Sequence, residues 1–212
     1  MSTSPLLDFL ERVPPDVAEH IKAGVRHYGS EFKRIEQGND SPSIAFTQHG
    51  LVDGGLADMM ATDPNAARIS CQRGCGACCH LHVSIDRHEA ALLAGLMVKD
   101  ALTIDRERLQ RQSTRDADTW NTLADGDRRC VFLSDENECQ VYEHRPTACR
   151  KYQVVSDPKW CDSVRFPGHR VKILIAPQAE IVSAAAQITY ATGSLAVELT
   201  AALEAKASPA LA

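Results

Sequence analysis

Residues 71–79 read Cys71-Gln-Arg-Gly-Cys75-Gly-Ala-Cys78-Cys79 and contain half of the chain's eight cysteines. Four thiols at this spacing, with glycines between them, suit a loop that turns tightly around a metal centre. An isolated free cysteine often acts as a small hydrophobic side chain, but this group is too concentrated for that interpretation. The segment therefore predicts an irregular metal-binding loop.

A second, looser group of cysteines follows at positions 130, 139, 149 and 161, separated by eight, nine and eleven residues. These gaps are wider than the Cys-x2-Cys knuckle from which structural zinc sites are usually built. In the first group, the adjacent side chains of Cys78 and Cys79 diverge and cannot comfortably face one small ion. Each group is incomplete by itself, so we expect the two groups to share one centre.

The spacing favours an iron–sulfur centre but leaves zinc as an alternative. Only Cys75 and Cys78 form a Cys-x2-Cys knuckle, whereas adjacent cysteines serve better when each binds a different metal atom. We therefore predict an iron–sulfur cluster of the 4Fe–4S type, with zinc as the alternative because thiolates bind both metals. All of the cysteines are candidate metal ligands: Cys71, Cys75, Cys78, Cys79, Cys130, Cys139, Cys149 and Cys161.

The overall charge and hydropathy restrict the compartment and the partners. The net charge of −5 leaves no basic surface for a phosphate backbone, so nucleic-acid binding is not expected. The longest charge-free stretch, Ile181 to Val197, is too short and too polar to span a bilayer, and the N-terminal residues lack the features of a signal peptide. We therefore expect a cytoplasmic protein, in which the thiols stay reduced, and no membrane association.

The distribution of cysteines divides one predicted domain, residues 1–212, into three parts. Residues 1–70 show helical periodicity, residues 71–161 form the cysteine-cluster core, and residues 162–212 contain a strand followed by a helix. The predicted fold class is mainly α, a helical wrapper around an irregular cysteine-rich centre with a short β-hairpin. The predicted elements are a helix capped by Asp86, a polar helix from Ile104 to Leu123, a hairpin of Val131–Leu133 with Gln140–Tyr142, a strand from Val171 to Ala176, and a helix from about Ala179 to Ala207.

Two stretches together resemble the YkgJ-type cysteine-cluster family, the CxxCxxCC zinc- or iron-chelating domain. They are SCQRGCGACCHLHVSIDRHEA and CVFLSDENECQVYEHRPTACRKY, and Cys161 completes the pattern. The chain departs from the family pattern in having three residues between Cys71 and Cys75 where the family has two. The resemblance implies metal binding by the cysteines without implying one reaction.

A related cysteine domain occurs in the flagellin lysine methylase, and that resemblance connects it to an iron–sulfur cluster. The methylase activity is not expected here, because no glycine-rich loop on a strand is present to bind S-adenosylmethionine. The predicted role is electron transfer, or support of a modification enzyme through a protein partner. Two alternatives stay open: a zinc-stabilised partner-binding module without catalysis, and a thiol redox sensor that uses Cys78 and Cys79.

Charged and aromatic residues near the cysteines have two interpretations each. Arg145 and Arg150 bracket Cys149 and are candidate residues for offsetting thiolate charge, although ordinary surface arginines fit the same pattern. Tyr142 is expected to pack as a strand aromatic. The histidines His80, His82 and His88 could each replace a cysteine ligand, but with eight thiols available we expect them at the surface or at a helix start.

Overall fold

The computed structural model describes residues 10–208, so Leu6, Leu7 and the rest of residues 1–9 in the predicted N-terminal helical part lie outside the described residues. The chain is mainly helical, as predicted. The helices that can be followed over their whole length are α1 (Pro15–Glu36), α2 (Ser41–Thr62), α3 (Arg87–Lys99), α4 (Arg106–Ser113), α5 (Thr147–Arg150), α6 (Pro177–Tyr190) and α7 (Leu195–Ala207). Within the described range, no helix has the length and hydropathy needed to cross a membrane.

Two antiparallel pairs of short strands tie the C-terminal part to the cysteine region. The strands are β1 (Ser84–Ile85), β2 (Gln153–Val154), β3 (Ile173–Leu174) and β4 (Gly193–Ser194). Strand β1 pairs with β4, with Ser84 opposite Ser194, and β2 pairs with β3, with Val154 opposite Ile173. Strand β1 follows the first cysteine group and β2 follows Cys149. The C-terminal strands β4 and β3 are therefore hydrogen-bonded to segments that lie directly after cysteines of each group.

The apolar side chains form two separate cores. Helices α1 and α2 pack against α6, and Phe32, Val52 and Val182 are completely buried there. Helices α3 and α4 pack against α7, and Leu93, Phe132 and Leu199 are buried in this second core. Each such side chain contributes about 1.5–3 kcal/mol on burial. The cysteine region lies against the second core, with Cys130 and Cys139 in contact with it.

The prediction of one continuous C-terminal helix from about Ala179 to Ala207 is wrong, because the structure has two helices there. Helix α6 ends at Tyr190, Ala191 adopts a positive φ of 54°, and a new helix begins at Leu195 after strand β4. A left-handed residue just after a helix ends it by redirecting the chain. The break lets α6 cover the first core while α7 covers the second, which one straight helix could not do.

The predicted polar helix of residues 104–123 is shorter than expected. Leu109 and Trp120 are buried, as predicted, but α4 ends at Ser113 and Trp120 lies in a separate short 3₁₀ turn. The cause is local, because the carboxylate of Asp116 accepts hydrogen bonds from the backbone N–H and the hydroxyl of Thr119. Such side-chain hydrogen bonds offer the backbone an alternative to helix.

The predicted hairpin is present as a tight antiparallel turn with a single bridge, between Leu133 and Cys139. The backbone N–H of Ser134 donates to the carbonyl of Glu138, and that of Gln140 donates to Phe132. Pairing stops there because Tyr142 begins a 3₁₀ turn instead of extending the strand. The strand predicted from Val171 to Ala176 is shorter too, and comprises only β3.

Candidate metal centre

The first cysteine group is shaped by a glycine turn followed by a 3₁₀ helix. Gly74 has a φ of 83°, a conformation that L-residues rarely adopt, and it reverses the chain between Cys71 and Cys75. Residues Ala77–His80 then form the 3₁₀ helix that carries Cys78 and Cys79. At Gly76 a Cβ atom would lie 3.0 Å from Cδ1 of Leu133, so this loop packs closely on the turn between Cys130 and Cys139.

The second cysteine group is distributed over three short elements. Cys130 and Cys139 flank the antiparallel turn, Cys149 lies in the one-turn helix α5, and Cys161 ends a 3₁₀ helix that begins at Pro158. Prolines precede the last two, with Pro146 directly before α5. A fixed proline φ pre-organises the start of such short helices. The wide spacing in sequence therefore reflects the distribution of these four cysteines over three separate local turns.

All of the cysteines line one cavity of about 130 Å³. Two backbone contacts bring the groups together: the N–H of Cys130 donates to the carbonyl of Cys79 at 2.7 Å, and the N–H of Val154 donates to Sγ of Cys71 at 3.2 Å. The remaining wall is mostly apolar, with Phe132 and Val141 among its residues. Each cysteine is a free thiol. The structure thus places both groups around a shared space.

Burial keeps most of these thiols protonated in the protein alone. Desolvation raises the pKa of Cys130 to about 12 and that of Cys161 to about 12, and it raises the pKa of Cys149 well above the usual value. Cys78 is the exception, because a hydrogen bond with the thiol of Cys79 lowers its pKa to about 7, and the same contact raises the pKa of Cys79. Thiolates in this cavity need a cation to become stable.

The cavity and its lining fit a thiophilic metal centre. Among residues 10–208, no three His, Cys, Asp or Glu side chains are grouped so that they could hold a metal ion as they stand. The thiols instead line the walls of a space, which suits a group larger than one ion. Thiols are the main metal-binding groups of the lining, which includes no His, Asp or Glu of the described residues, and such a set selects zinc or iron–sulfur chemistry.

Arg145 contributes positive charge to the cavity wall. Its guanidinium lies 4.2 Å from the centroid of the Tyr142 ring, and Arg73 contacts the same ring at 5.0 Å. The buried Nε of Arg145 has no hydrogen-bond partner among the described residues, and its charge favours the thiolate forms of Cys71, Cys78 and Cys139. A buried unpaired donor is costly, and an anionic group bound in the cavity would offer this one a hydrogen-bond acceptor. The ring of Tyr142 therefore makes cation–π contacts with two arginines, and the residue does not lie in a strand as predicted.

Arg150, the other predicted candidate, lies outside the cavity wall. Its Nη1 donates to Oδ2 of Asp53 at 2.7 Å, its Nε donates to the carbonyl of Arg145 at 2.8 Å, and its Nη2 donates to the carbonyl of Glu143. These contacts connect α2 to the chain before Cys149. Arg150 therefore stabilises the backbone before Cys149, and its charge is paired with Asp53.

The three candidate histidines are absent from the cavity lining in the part of the chain described here. His82 packs edge-on against Trp120, and burial lowers its pKa. His88 is buried at the start of α3, where its Nδ1 lies 3.0 Å from the hydroxyl of Ser41. His80 contacts the carbonyl of Ala77 at 3.4 Å. His88 thus lies at a helix start, one of the two expected locations, and its buried ring packs edge-on against Tyr190.

A buried polar network beside Cys149 was missed by sequence reasoning. Asp86 caps α3 as predicted, accepting from the backbone N–H groups of His88 and Glu89, and it also accepts from the amide of Gln48. Glu89 does not complete a capping box. Its Oε1 instead lies 3.2 Å from Nε2 of His49 and accepts from the N–H of Thr147 at 2.7 Å. The only sequence signal was a glutamate on the apolar face of α3.

Tyr152 was missed as well, and it lines the cavity next to β2. Burial and the nearby cysteines raise its pKa to about 12, so it is a neutral hydroxyl in the wall. Nothing in its sequence neighbourhood distinguishes it from an ordinary strand tyrosine.

Residues 70–166, a little under half of the chain, match the CxxCxxCC family model, which is described as "Putative zinc- or iron-chelating domain". No curated protein and no solved structure matches the chain. The matched residues include every cysteine of the cavity. Residues 70–166 are therefore similar to the CxxCxxCC domain, whose description names zinc or iron as the chelated metal.

Proposed function

We propose that the cysteine cavity binds an iron–sulfur cluster of the 4Fe–4S type. The observation that carries this proposal is that every cysteine of both groups lines one cavity. A zinc ion and a 4Fe–4S cluster each take four protein thiolates, so the number of thiols does not separate them. Their placement favours the cluster: zinc needs its thiolates around one point, whereas a cluster binds each thiolate at a different iron atom and suits thiols dispersed around a space.

The surroundings of the thiols support an anionic centre of this kind. The unpartnered Nε of Arg145 provides a donor for thiolate or sulfide, and Phe132 and Val141 contribute an apolar surface beside the thiols. When bound, such a cluster supplies one-electron redox chemistry, with a potential set by charge, hydrogen bonds to sulfur and exposure. Arg145 and the apolar wall are the parts of this chain that would adjust the potential.

The proposed role is electron transfer, or support of a modification enzyme, through a protein partner. Arg73 and Gly74 are exposed and lie directly before Cys75, which also lines the cavity. A partner that docks over this loop comes close to the thiols. The proposed compartment is a reducing one such as the cytoplasm, because the thiols must stay reduced to bind metal.

The test is anaerobic purification of the full chain, followed by analysis for iron, acid-labile sulfide and zinc. The proposal predicts iron and sulfide in equal amounts, with broad visible absorbance that bleaches when dithionite is added. A colourless protein with stoichiometric zinc and no sulfide would contradict the cluster and support the zinc-stabilised module. Cys75→Ser and Cys149→Ser, one from each cysteine group, should both lower the iron content. If only one of these two substitutions lowers the iron content, the shared centre is contradicted.

A further inference from the structure

Cys149 lies on α5, a helix of only four residues that cannot hold its own conformation. The position of its thiol therefore depends on contacts made by the rest of the chain. At the first residue of this helix, the backbone N–H of Thr147 donates to Oε1 of Glu89 at 2.7 Å. Glu89 is 2% exposed, and Thr147 is also buried.

Helix α2 secures this contact from the other side. The same Oε1 of Glu89 lies 3.2 Å from Nε2 of His49, and both side chains are almost completely buried. At the far end of α5, Arg150 pairs with Asp53 at 2.7 Å. Two residues of α2, one helical turn apart, thus act on opposite ends of the short helix. Helix α2 lies outside residues 70–166, so a helix outside the family segment supports a centre whose cysteines all lie within that segment.

An electrostatic role for Glu89 is disfavoured by the sign of its charge. A carboxylate near Cys149 disfavours the thiolate, and it is one of the causes that raise the pKa of that thiol. The other groups facing Glu89 are the imidazole of His49 and the carboxylate of Asp86, whose pKa is raised to about 6 by burial. The neighbourhood of Cys149 therefore gains no charge stabilisation from Glu89. The hydrogen bond to Thr147 is the contact that benefits the site.

We propose that Glu89 is a positioning residue for the metal centre: by fixing the first turn of α5 through the Thr147 N–H, it holds the Cys149 thiol at the cavity wall. This inference rests on metal binding by the cavity. It predicts that the length of the side chain at position 89 matters and that its charge does not. Gln at this position can still accept from Thr147, whereas Asp is too short to reach it.

The experiment uses the full chain loaded with Co²⁺, whose thiolate charge-transfer absorbance per bound metal reports the number of thiolate ligands. Glu89→Asp should lose the same absorbance per cobalt as Cys149→Ser, and Glu89→Gln should match the unchanged chain. The double variant Glu89→Asp/Cys149→Ser should lose no more than Cys149→Ser alone, because the two changes act through one ligand. Glu204→Asp, at an exposed position on α7, is the matched control and should have no effect.

Additive losses, or a spectrum of Glu89→Asp equal to that of the unchanged chain, would overturn the positioning role. So would the reverse pattern, in which Glu89→Gln loses absorbance and Glu89→Asp does not. Hydrogen exchange of the Thr147 amide in the unchanged chain tests the same contact without any substitution. Slow exchange is expected, and exchange at the rate of a free amide would overturn the inference. If the unchanged chain binds no Co²⁺, Zn²⁺ or iron while the Thr147 amide is protected, the proposed function fails and the contact stands.

Discussion

The backbone N–H of Cys130 donates to the carbonyl oxygen of Cys79 at 2.7 Å, which joins the last cysteine of the first group to the first cysteine of the second. Fifty residues of chain, including α3 and α4, lie between them. Both of these helices pack against α7, so the return of the chain depends on the second core. The two cysteine groups are consequently held together by the fold as well as by any bound metal.

This arrangement predicts an uneven response to metal removal. A chelator should increase hydrogen exchange and protease cleavage in residues 71–85 and 130–161, because metal-binding free energy is part of the folding free energy there. The core of α1, α2 and α6 is separate from the cavity and should keep its protection. Hydrogen-exchange mass spectrometry measures both regions in one sample, and re-addition of metal is the control. An unchanged exchange pattern in demonstrably metal-free protein would contradict the prediction.

Cys78 and Cys79 should differ in reactivity although they are adjacent. In metal-free protein the hydrogen bond from Cys79 lowers the pKa of Cys78 and raises that of Cys79, so Cys78 is the more readily ionised of the two thiols. Iodoacetamide at pH 7 should therefore modify Cys78 before Cys79. Removal of the donor in Cys79→Ala should return the Cys78 pKa toward its ordinary value and slow that reaction several-fold.

Serine substitutions at these two positions should lower metal content to different degrees, since the two thiols face different neighbours. The pKa of Cys79 is raised in part by Cys130 and Cys149, whereas Cys78 also affects the pKa of Cys71 and Cys161. Metal analysis of both variants is the measurement. Equal and negligible losses would mean that the metal does not contact the double cysteine.

Metal uptake should release protons, and affinity should increase with pH. Because burial raises the pKa values of Cys130, Cys149 and Cys161 above the usual thiol value, these groups are protonated at pH 7 and lose their protons to bind metal. The sign follows directly: lowering the pH opposes the deprotonation and weakens binding. Calorimetric titration with Zn²⁺ in two buffers of different ionisation enthalpy measures the release. Heats that do not depend on the buffer would contradict it.

The same raised pKa values predict lower stability of the metal-free chain at high pH. The folded protein retains protons that the unfolded chain loses above the ordinary thiol pKa of 9.0. Stability should accordingly fall as the pH rises from about 9 toward 12. Urea unfolding midpoints across this range, compared with those of the metal-loaded chain, measure the slope. A midpoint that is constant or rises would contradict the assigned burial of these thiols.

Arg145→Gln should weaken retention of the centre without unfolding the chain. The substitution removes the guanidinium of a cavity-lining residue, and its buried Nε has no partner in the described residues. Metal loss to a chelator should become about tenfold faster, as is typical for residues that support metal ligands. If the centre is redox-active, its midpoint potential should become more negative, because a positive charge that favours reduction is lost. Arg165→Gln, at an exposed position, is the control and should change neither quantity.

Much of the centre was predictable because its chemistry is local in the sequence. Concentrated cysteines with intervening glycines indicated a thiol-lined loop, and Asp86 indicated the start of α3 through its capping preference. Helical periodicity likewise predicted the mainly α fold. These signals depend on neighbours within a few residues, so the features that they indicate can be predicted without knowledge of the tertiary structure.

The features that could not be predicted depend on contacts between distant residues. The break at Ala191 exists because α6 and α7 serve different cores, and an alanine-rich sequence does not record that division. The contact of Glu89 with Thr147 spans 58 residues and joins two elements whose proximity only the fold determines. Arg145 and Arg150 were indistinguishable by spacing, and only the position of Asp53 separates their roles.

The most direct test of the shared centre is differential alkylation of the full chain, with and without its metal, read by peptide mass spectrometry. The account predicts that metal protects cysteines of both groups, including Cys75 and Cys149, and that they become reactive together when metal is removed. Cys149→Ser should also expose Cys75, although 73 residues separate them, because both line one cavity. Protection confined to residues 71–79, or full protection of Cys75 in Cys149→Ser, would contradict the shared centre.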